Sequence, residues 1–235
     1  MLDVQHLTKK YDKTLANDDL CFSVPRGRTA VLAGPNGAGK STAIKCIMGL
    51  LRFRGSILIG GRGNKTVEAK RLLGYVPEIP ALYDMLTVEE HMEFIARAYR
   101  LGDGWKSRAG TLLDRLELSD KTKKLGKELS KGMQQKVSVA CALLPEPELI
   151  LFDEPLVGLD PHGIKVLKEM LAELHQQDRT LLISTHMLES VEGIWDEVLI
   201  MKGGRIAAQV QKDQILSSGE SLEALFFRIT EGGEA

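Results

Sequence analysis

The segment GPNGAGKS, residues 34–41, has the spacing G-x-x-x-x-G-K-[ST] that is typical of phosphate-binding loops. Its glycines let the backbone curl so that successive N–H groups point at an anion, and the N-terminus of a following helix adds free donors. Lys40 can reach the outer phosphates of a nucleoside triphosphate, and the Ser41 hydroxyl can ligate Mg²⁺, which prefers oxygen ligands. We therefore expect a nucleotide site made by Asn36, Gly37, Ala38, Gly39, Lys40, Ser41 and Thr42.

An acid pair ends a second apolar segment. LILFDEP places Asp153 and Glu154 where a buried strand is predicted to stop, and ligands of open α/β sheets lie at the carboxyl ends of the strands. We expect Asp153 to hold Mg²⁺ through water, and Glu154 to polarise a water for attack on the outermost phosphate. The alternative is an ordinary pair of surface acids after a strand, which the phosphate loop in the same chain disfavours.

His186 ends a third apolar segment, TLLISTH. Its neutral imidazole could contact the γ-phosphate or hold the attacking water, whereas a lone histidine at a strand end is often only structural. Like Asp153 and Glu154, His186 lies at the end of an apolar segment, and this shared position favours a catalytic role for His186. The remaining histidines show no ligand spacing and are interpreted as surface or packing residues: His6, His91, His162 and His175.

The elements that must position these residues alternate between strand and helix. The apolar runs at 29–34, 148–155 and 180–186 predict strands buried on both faces. Residues 86–145 contain three helical periodicities and predict a helical lobe between strands. Further predictions are strands at 2–11, 20–24 and 55–61, helices from about Gly39 to Leu51, at 161–177 and near 221–229, a hairpin at 197–210 and a frayed TEGGEA end. Together they indicate an α/β fold with a mostly parallel sheet.

Composition narrows the function classes. The 235 residues are 43% hydrophobic, enough for a proper core, and the formal net charge of −1 argues against a dedicated nucleic-acid binder. Cys21, Cys46 and Cys141 stand alone in apolar stretches, which predicts reduced, buried thiols in a cytosolic protein. We expect neither a secretory signal nor a membrane span, so a role at a membrane would need a separate spanning subunit.

Two further segments carry a family resemblance. ELSKGMQQKVSVACAL, residues 128–143, looks like the signature sequence of the ATP-binding subunits of ABC transporters, and PLVGLDP, residues 155–161, looks like their D-loop. The resemblance runs from about Tyr11 to about Gly204. In finer detail, GYVPEIPALYDMLTVEEHMEF with LSKGMQQKV resembles the EcsA-like group of bacterial exporter ATPases.

The resemblance implies a fold class and a division of the chain. The fold is an α/β P-loop NTPase with an ABC-type ATPase core, a mostly parallel sheet, an antiparallel β subdomain and an inserted helical subdomain. One ABC ATPase domain would span residues 1–235. Its parts would be a core at about 1–78 and 146–210, a helical subdomain at about 79–145 and a C-terminal tail at about 211–235.

The resemblance also implies a shared nucleotide site. ATP would lie between the phosphate loop of one subunit and the signature of a second, in a head-to-tail homodimer or a pair with a related ATPase subunit. Ser130 would offer its hydroxyl and Gly132 its N–H to the phosphates, Asp160 would couple the two sites, and Tyr11 would stack on adenine. For Ser130 the alternative is a plain helix cap, and for Tyr11 it is packing.

The chain departs from the family pattern in two places. Glu78 stands where the family usually has the Q-loop glutamine, and Lys131 and Met133 replace glycine and glutamine in the signature. A glutamate is still a good Mg²⁺ ligand, but it repels the γ-phosphate when metal is absent. We expect Ser41, Glu78 and Asp153 to form the metal site. Because Glu78 adds a negative charge, we expect the nucleotide site to depend more strongly on Mg²⁺. Lys131 either attracts ATP or is a solvated charge.

The implied function is an ATPase, with ATP and Mg²⁺, that drives an exporter. Its partner would be an integral membrane permease, reached at the cytoplasmic face of the cell membrane, with membrane association through that partner only and no direct nucleic-acid contact. Leu82, Tyr83 and Met85 would form the docking groove, whereas Leu86 is better interpreted as core. The alternatives are a soluble ABC-type ATPase acting on a protein or nucleic-acid assembly, and an ATP-binding switch with little turnover.

Overall fold

A computed structural model of the chain describes residues 1–218 and 220–231. The last four residues of the predicted frayed end lie outside the described residues. The strands are β1 Leu2–Tyr11, β2 Thr14–Val24, β3 Thr29–Ala33, β4 Arg54–Ile59, β5 Arg62–Gly63, β6 Leu73–Val76, β7 Leu149–Asp153, β8 Thr180–Thr185, β9 Glu197–Lys202 and β10 Arg205–Gln211. The helices are α1 Lys40–Ile47, α2 Val67–Arg71, α3 Val88–Tyr99, α4 Trp105–Arg115, α5 Lys131–Leu143, α6 Pro161–Gln176, α7 Lys212–Ser218 and α8 Leu222–Thr230.

A six-stranded sheet carries the predicted site. Its order is β10-β9-β3-β8-β7-β6, and every neighbouring pair is parallel except the β9–β10 hairpin. Strands β3, β7 and β8 lie side by side at its centre, so their carboxyl ends meet at one edge. The prediction of a mostly parallel sheet is confirmed.

Both faces of this sheet are covered, which explains the continuous apolar runs. In β3, Ala30 and Leu32 pack with α1 and the antiparallel strands, whereas Val31 and Ala33 pack in a second cluster with residues of α5 and α6. Because successive side chains of a strand point to opposite faces, a strand covered on both sides has no solvent-facing position.

The second sheet is antiparallel, with the order β2-β1-β4-β5. Strand β2 begins at Thr14, earlier than the predicted residue 20, because the polar residues ahead of Leu20 pair along β1. Leu20 and Phe22 are buried, and the strand alternation therefore turns Cys21 outward. Cys21 is exposed, so the expectation of a buried thiol is wrong at this position, while Cys46 is buried and Cys141 is half-buried.

Helices α3, α4 and α5 form the inserted lobe between β6 and β7. Thr87 begins α3 with a capping box, since its side chain accepts the Glu90 N–H and the Glu90 carboxylate accepts the Thr87 N–H. Helix α1 ends at Ile47 rather than near Leu51, because Gly49 takes a left-handed φ of 73°.

Four elements were not anticipated: β5, α2, β6 and α7. Each is short or lacks a clear period, and β6 is only four residues long. Among the helices of the described residues, none combines the length and apolar composition needed to cross a bilayer.

Candidate active site

The phosphate loop follows β3 and leads into α1. Gly37 and Gly39 have φ angles of 81° and 101°, the left-handed region that glycine adopts without strain. A Cβ on Gly39 would lie 2.3 Å from the Ala16 carbonyl oxygen, so close packing also requires glycine there. The buried Lys40 Nζ donates to the Gly34 carbonyl at 2.7 Å, which keeps the lysine folded back over the loop.

The antiparallel sheet and the β9–β10 turn fix this loop from outside. The Asn17 side-chain amide donates to the Gly39 carbonyl at 3.0 Å, and the Gly204 N–H donates to the Ala38 carbonyl at 3.2 Å. The Asp18 N–H in turn donates to the Gly204 carbonyl at 2.8 Å. Strand β2 and the β9–β10 turn therefore set the position of the loop, and they are hydrogen-bonded to each other.

Asp153 is tied directly to the loop. The Ser41 hydroxyl donates to Asp153 Oδ1 at 2.9 Å, and the Ser184 hydroxyl donates to the same oxygen at 2.6 Å. Asp153 is almost completely buried. The two predicted Mg²⁺ ligands of the loop and β7 are thus adjacent, and their hydroxyl and carboxylate oxygens fit a hard cation.

Glu154 lies at the centre of the predicted catalytic group. Its Oε2 is 3.0 Å from His186 Nδ1, and its Oε1 is 3.3 Å from Lys40 Nζ. Its backbone N–H donates to the Ser184 hydroxyl at 3.1 Å, and its φ of 48° is left-handed, which is uncommon for a residue other than glycine. This backbone conformation directs the Glu154 carboxylate toward Lys40 of the loop and toward His186, which directly follows β8.

Residues 36–42 of the loop, Glu154 and His186 line one cleft of about 600 Å³, and Asp153 is joined to that lining by its hydrogen bond from Ser41. Glu78 is exposed at its edge, after β6. Burial raises the pKa of Tyr75 well above its ordinary value, and the negative charges of Asp153 and then Glu78 raise it further. The lining residues are Thr14, Leu15, Ala16, Asn36, Gly37, Ala38, Gly39, Lys40, Ser41, Thr42, Glu78, Glu154, Val157, His186, Gly203 and Gly204.

The other predicted nucleotide-binding residues lie apart from this lining. The Ser130 side chain caps α5 by accepting the Met133 N–H at 3.3 Å, and Asp160 caps α6 by accepting the Gly163 N–H at 2.7 Å. The Cβ position of Gly132 is 3.2 Å from the Gly158 carbonyl oxygen, so the signature and the D-loop are neighbours.

Tyr11 ends β1, is 43% exposed, and has Lys9 Nζ 4.5 Å from its ring centroid. Within the described residues it does not belong to the lining of the cleft. Its role in adenine stacking stays a prediction.

Ser184 and Gln135 are among the residues of the site that the sequence did not reveal. Ser184 connects Asp153 to the Glu154 backbone, and its signal was a hydroxyl inside an apolar strand. Gln135 is buried on the apolar side of α5, and its Nε2 donates to the carbonyls of Pro77 at 3.3 Å and Pro155 at 3.4 Å. It thereby links the segment that carries Glu78 to the segment that follows Glu154, and its signal was an amide at a core position.

The sequence matches known proteins over most of its length. The family model described as ABC transporter matches residues 17–157, more than half of the chain. The ABC-type transporter ATP-binding protein EcsA of Bacillus subtilis (strain 168) is 34% identical, covering 98% of this chain and 96% of that protein. The SkfA peptide export ATP-binding protein SkfE of the same strain is 34% identical, covering 94% and 93%.

Solved structures agree. An ATP-binding subunit of an ABC transporter superposes with a TM-score of 0.91 at 38% identity, covering 97% of this chain and 99% of that one. The dimeric bacterial ABC transporter cassette MJ0796 gives 0.82 at 25% identity, covering 90% and 98%. The chain therefore belongs to the ABC transporter family, and it is one of that family's ATP-hydrolysing cassettes.

Proposed function

We propose that this chain hydrolyses ATP in a site shared by two copies, and that the cycle drives a bacterial membrane exporter. The observation that carries the proposal is the single network in which Lys40 and Ser41 of the phosphate loop contact Glu154 and Asp153, with His186 on the other side of Glu154. Binding, metal and proton-transfer groups for phosphoryl transfer thus lie within reach of one bound nucleotide.

The hydrolytic step uses the side chains as follows. Glu154 orients a water and accepts its proton as the water attacks the γ-phosphorus. The bond from that phosphorus to the β–γ bridging oxygen breaks, and ADP leaves with inorganic phosphate as the second product. His186, hydrogen-bonded to Glu154, holds that carboxylate and the γ-phosphate in register. The Lys40 ammonium group neutralises the outer phosphates. When the nucleotide binds, its phosphates compete with Glu154 for this ammonium group. Ser41, Asp153 and Glu78 would hold Mg²⁺, which would supply further charge neutralisation.

The second copy supplies the signature. Ser130 and Gly132 sit at the N-terminus of α5, where free N–H groups and the helix dipole favour an anion. They lie outside the lining of the cleft that holds the phosphate loop. A head-to-tail dimer brings them to the nucleotide of the other copy, with Asp160 near the junction, and the dimeric MJ0796 cassette supports this arrangement.

An apolar groove supports a membrane partner. A cavity of about 280 Å³ lies between the lobe and the six-stranded sheet, with Tyr75, Pro77, Leu82, Tyr83 and Phe94 among its lining residues. Tyr83 is 56% exposed, although its size and apolar ring favour burial. An amphipathic helix of an integral membrane permease fits such a groove, which also contacts the segment before Glu78. The chain would then work at the cytoplasmic face of the membrane.

Export is the favoured direction, because the relative SkfE is named for peptide export. Selection of the cargo belongs to the membrane partner in this proposal.

The test is the oligomeric state of Glu154→Gln, measured by light scattering with ATP and Mg²⁺. The proposal expects a dimer with ATP and a monomer with ADP, and Lys40→Ala in the same background as a control that stays monomeric. A strictly monomeric ATP-bound variant, even beside a co-expressed permease, would exclude the shared site. Copurification with a cytosolic assembly rather than a membrane protein would exclude the exporter.

A further inference from the structure

The outward face of the β1–β2 pair brings three metal-ligating side chains together. The β1–β2 ladder is irregular between Val4 and Leu7, and His6 and Cys21 are both exposed beside the buried Leu7–Leu20 pair. The His6 N–H donates to Cys21 Sγ at 3.2 Å, which places the two residues next to each other. Asp19 lies two residues before Cys21 and shares its face. Sequence spacing hides this cluster, because two strands contribute to it.

The ligand atoms are already close. His6 Nδ1 is 2.8 Å from Asp19 Oδ1 and 3.6 Å from Cys21 Sγ, and all three atoms lie within 4.8 Å of one another. Tetrahedral zinc with bonds of about 2.0 Å to nitrogen or oxygen and about 2.3 Å to sulfur needs ligand separations of roughly 3.3 and 3.5 Å. The nitrogen–sulfur separation already fits, and the nitrogen–oxygen pair must open by about 0.5 Å on this estimate.

We propose that His6, Asp19 and Cys21 form a zinc-binding site separate from the nucleotide cleft. A thiolate, an imidazole and a carboxylate form a donor set that suits Zn²⁺, whereas Mg²⁺ and Ca²⁺ take oxygen ligands. The side chains of His6 and Asp19 are 75% and 65% exposed, so the ion can enter from solvent and keeps a fourth position for water.

The site does not overlap the machinery of hydrolysis. Within the described residues, the lining of the nucleotide cleft includes none of the three ligands. The ion would join β1 to β2, and β2 also carries Asn17, whose amide holds the phosphate loop at Gly39. Zinc bound here therefore braces a strand that contacts the loop without touching the nucleotide.

The experiment titrates untagged, full-length protein with Co²⁺ under a phosphine reductant and then displaces the Co²⁺ with Zn²⁺. We expect one Co²⁺ per chain, a thiolate-to-cobalt charge-transfer band, and loss of that band as Zn²⁺ is added. Cys21→Ser should abolish the band, and His6→Ala should weaken Zn²⁺ binding at least about tenfold. Matched controls are Cys141→Ala, which removes a different thiol, and His162→Ala, which removes an exposed histidine that also pairs with a carboxylate.

Both control variants are expected to bind Zn²⁺ as the parent protein does. Circular dichroism confirms that each variant is folded, so that loss of binding is not loss of structure. A charge-transfer band that survives in Cys21→Ser would overturn the proposal, as would the absence of any band at equimolar Co²⁺. One ion per two chains would overturn it too, because it would mean ligands shared between copies.

Discussion

Replacement of Glu154 by glutamine separates catalysis from binding. The change keeps the size of the side chain and its hydrogen bond to His186, now 3.0 Å from the carboxylate, but an amide cannot accept a proton. The variant also removes a negative charge 3.3 Å from Lys40 and next to the expected γ-phosphate. ATP should therefore bind as tightly as before or more tightly, while turnover fails.

The expected loss follows from the role of a general base. Such a group contributes about 10²- to 10⁴-fold, so kcat should fall by at least about 100-fold, or roughly 2.7 kcal/mol in the barrier. Stability should change little, because Lys40 keeps its hydrogen bonds to the Gly34 and Pro35 carbonyls. Single-turnover phosphate release measures the chemical step, and nucleotide competition measures the Kd for ATP.

A matched control is Glu197→Gln, the same change in a glutamate that is equally buried, at 7% exposure, but bound to Gln209 and Gln211 outside the cleft. It should keep turnover per folded molecule. If Glu154→Gln lost less than about tenfold in kcat while binding ATP normally, general-base catalysis by this residue would be refuted.

Three further predictions concern metal dependence, coupling and thiol chemistry. Glu78→Gln should tighten ATP binding in EDTA by about fivefold, because one repulsive charge is removed, and ATPase activity should then depend less on added Mg²⁺. Gln135→Leu should lower kcat without changing the Kd for ATP, because the two hydrogen bonds from Gln135 Nε2 to loop carbonyls are lost. The free energy of unfolding should shift by no more than about 1–2 kcal/mol, because the change also removes the buried Gln135 Oε1, which has no hydrogen-bond partner. At pH 8 a thiol reagent should label Cys21 rapidly, whereas burial raises the pKa of Cys46 to about 11 and of Cys141 to about 12, so their labelling should rise only as the pH approaches those values.

Each of these has an outcome that would contradict it. Unchanged Mg²⁺ dependence in Glu78→Gln would remove that residue from the metal site. For Gln135→Leu, a large fall in the free energy of unfolding alongside the fall in kcat would contradict the prediction. Gln135 would then stabilise the fold rather than position the two loops. Rapid labelling of three thiols at pH 8 in folded protein would mean that the two inner cysteines are accessible.

The sequence predicted the catalytic and binding residues of the site better than the residues that hold them in place. Spacing alone identified Lys40 and Ser41, and the rule that parallel strands end at one edge brought Asp153, Glu154 and His186 to the same place. These inferences worked because the residues are adjacent to long apolar runs whose burial leaves little choice of structure.

What could not be predicted depends on contacts between distant segments. Asn17 and Gly204 reach the loop through the packing of two sheets, which no local period encodes. Gln135 resembles any polar residue in an amphipathic helix until two carbonyls are placed beside it. Cys21 was misjudged because its apolar stretch was interpreted as buried, although the alternation of β2 leaves Cys21 exposed between the buried Leu20 and Phe22.

The central claim, that each ATP is held by two copies, can be tested by mixing two inactive variants. Lys40→Ala disables the phosphate loop and Ser130→Arg disables the signature, so each homodimer has two defective sites. In a head-to-tail heterodimer one site pairs the intact loop with the intact signature, so mixing equal amounts should restore about a quarter of the parent ATPase activity if the sites act independently. A mixture no more active than the average of the two variants alone would contradict the shared site.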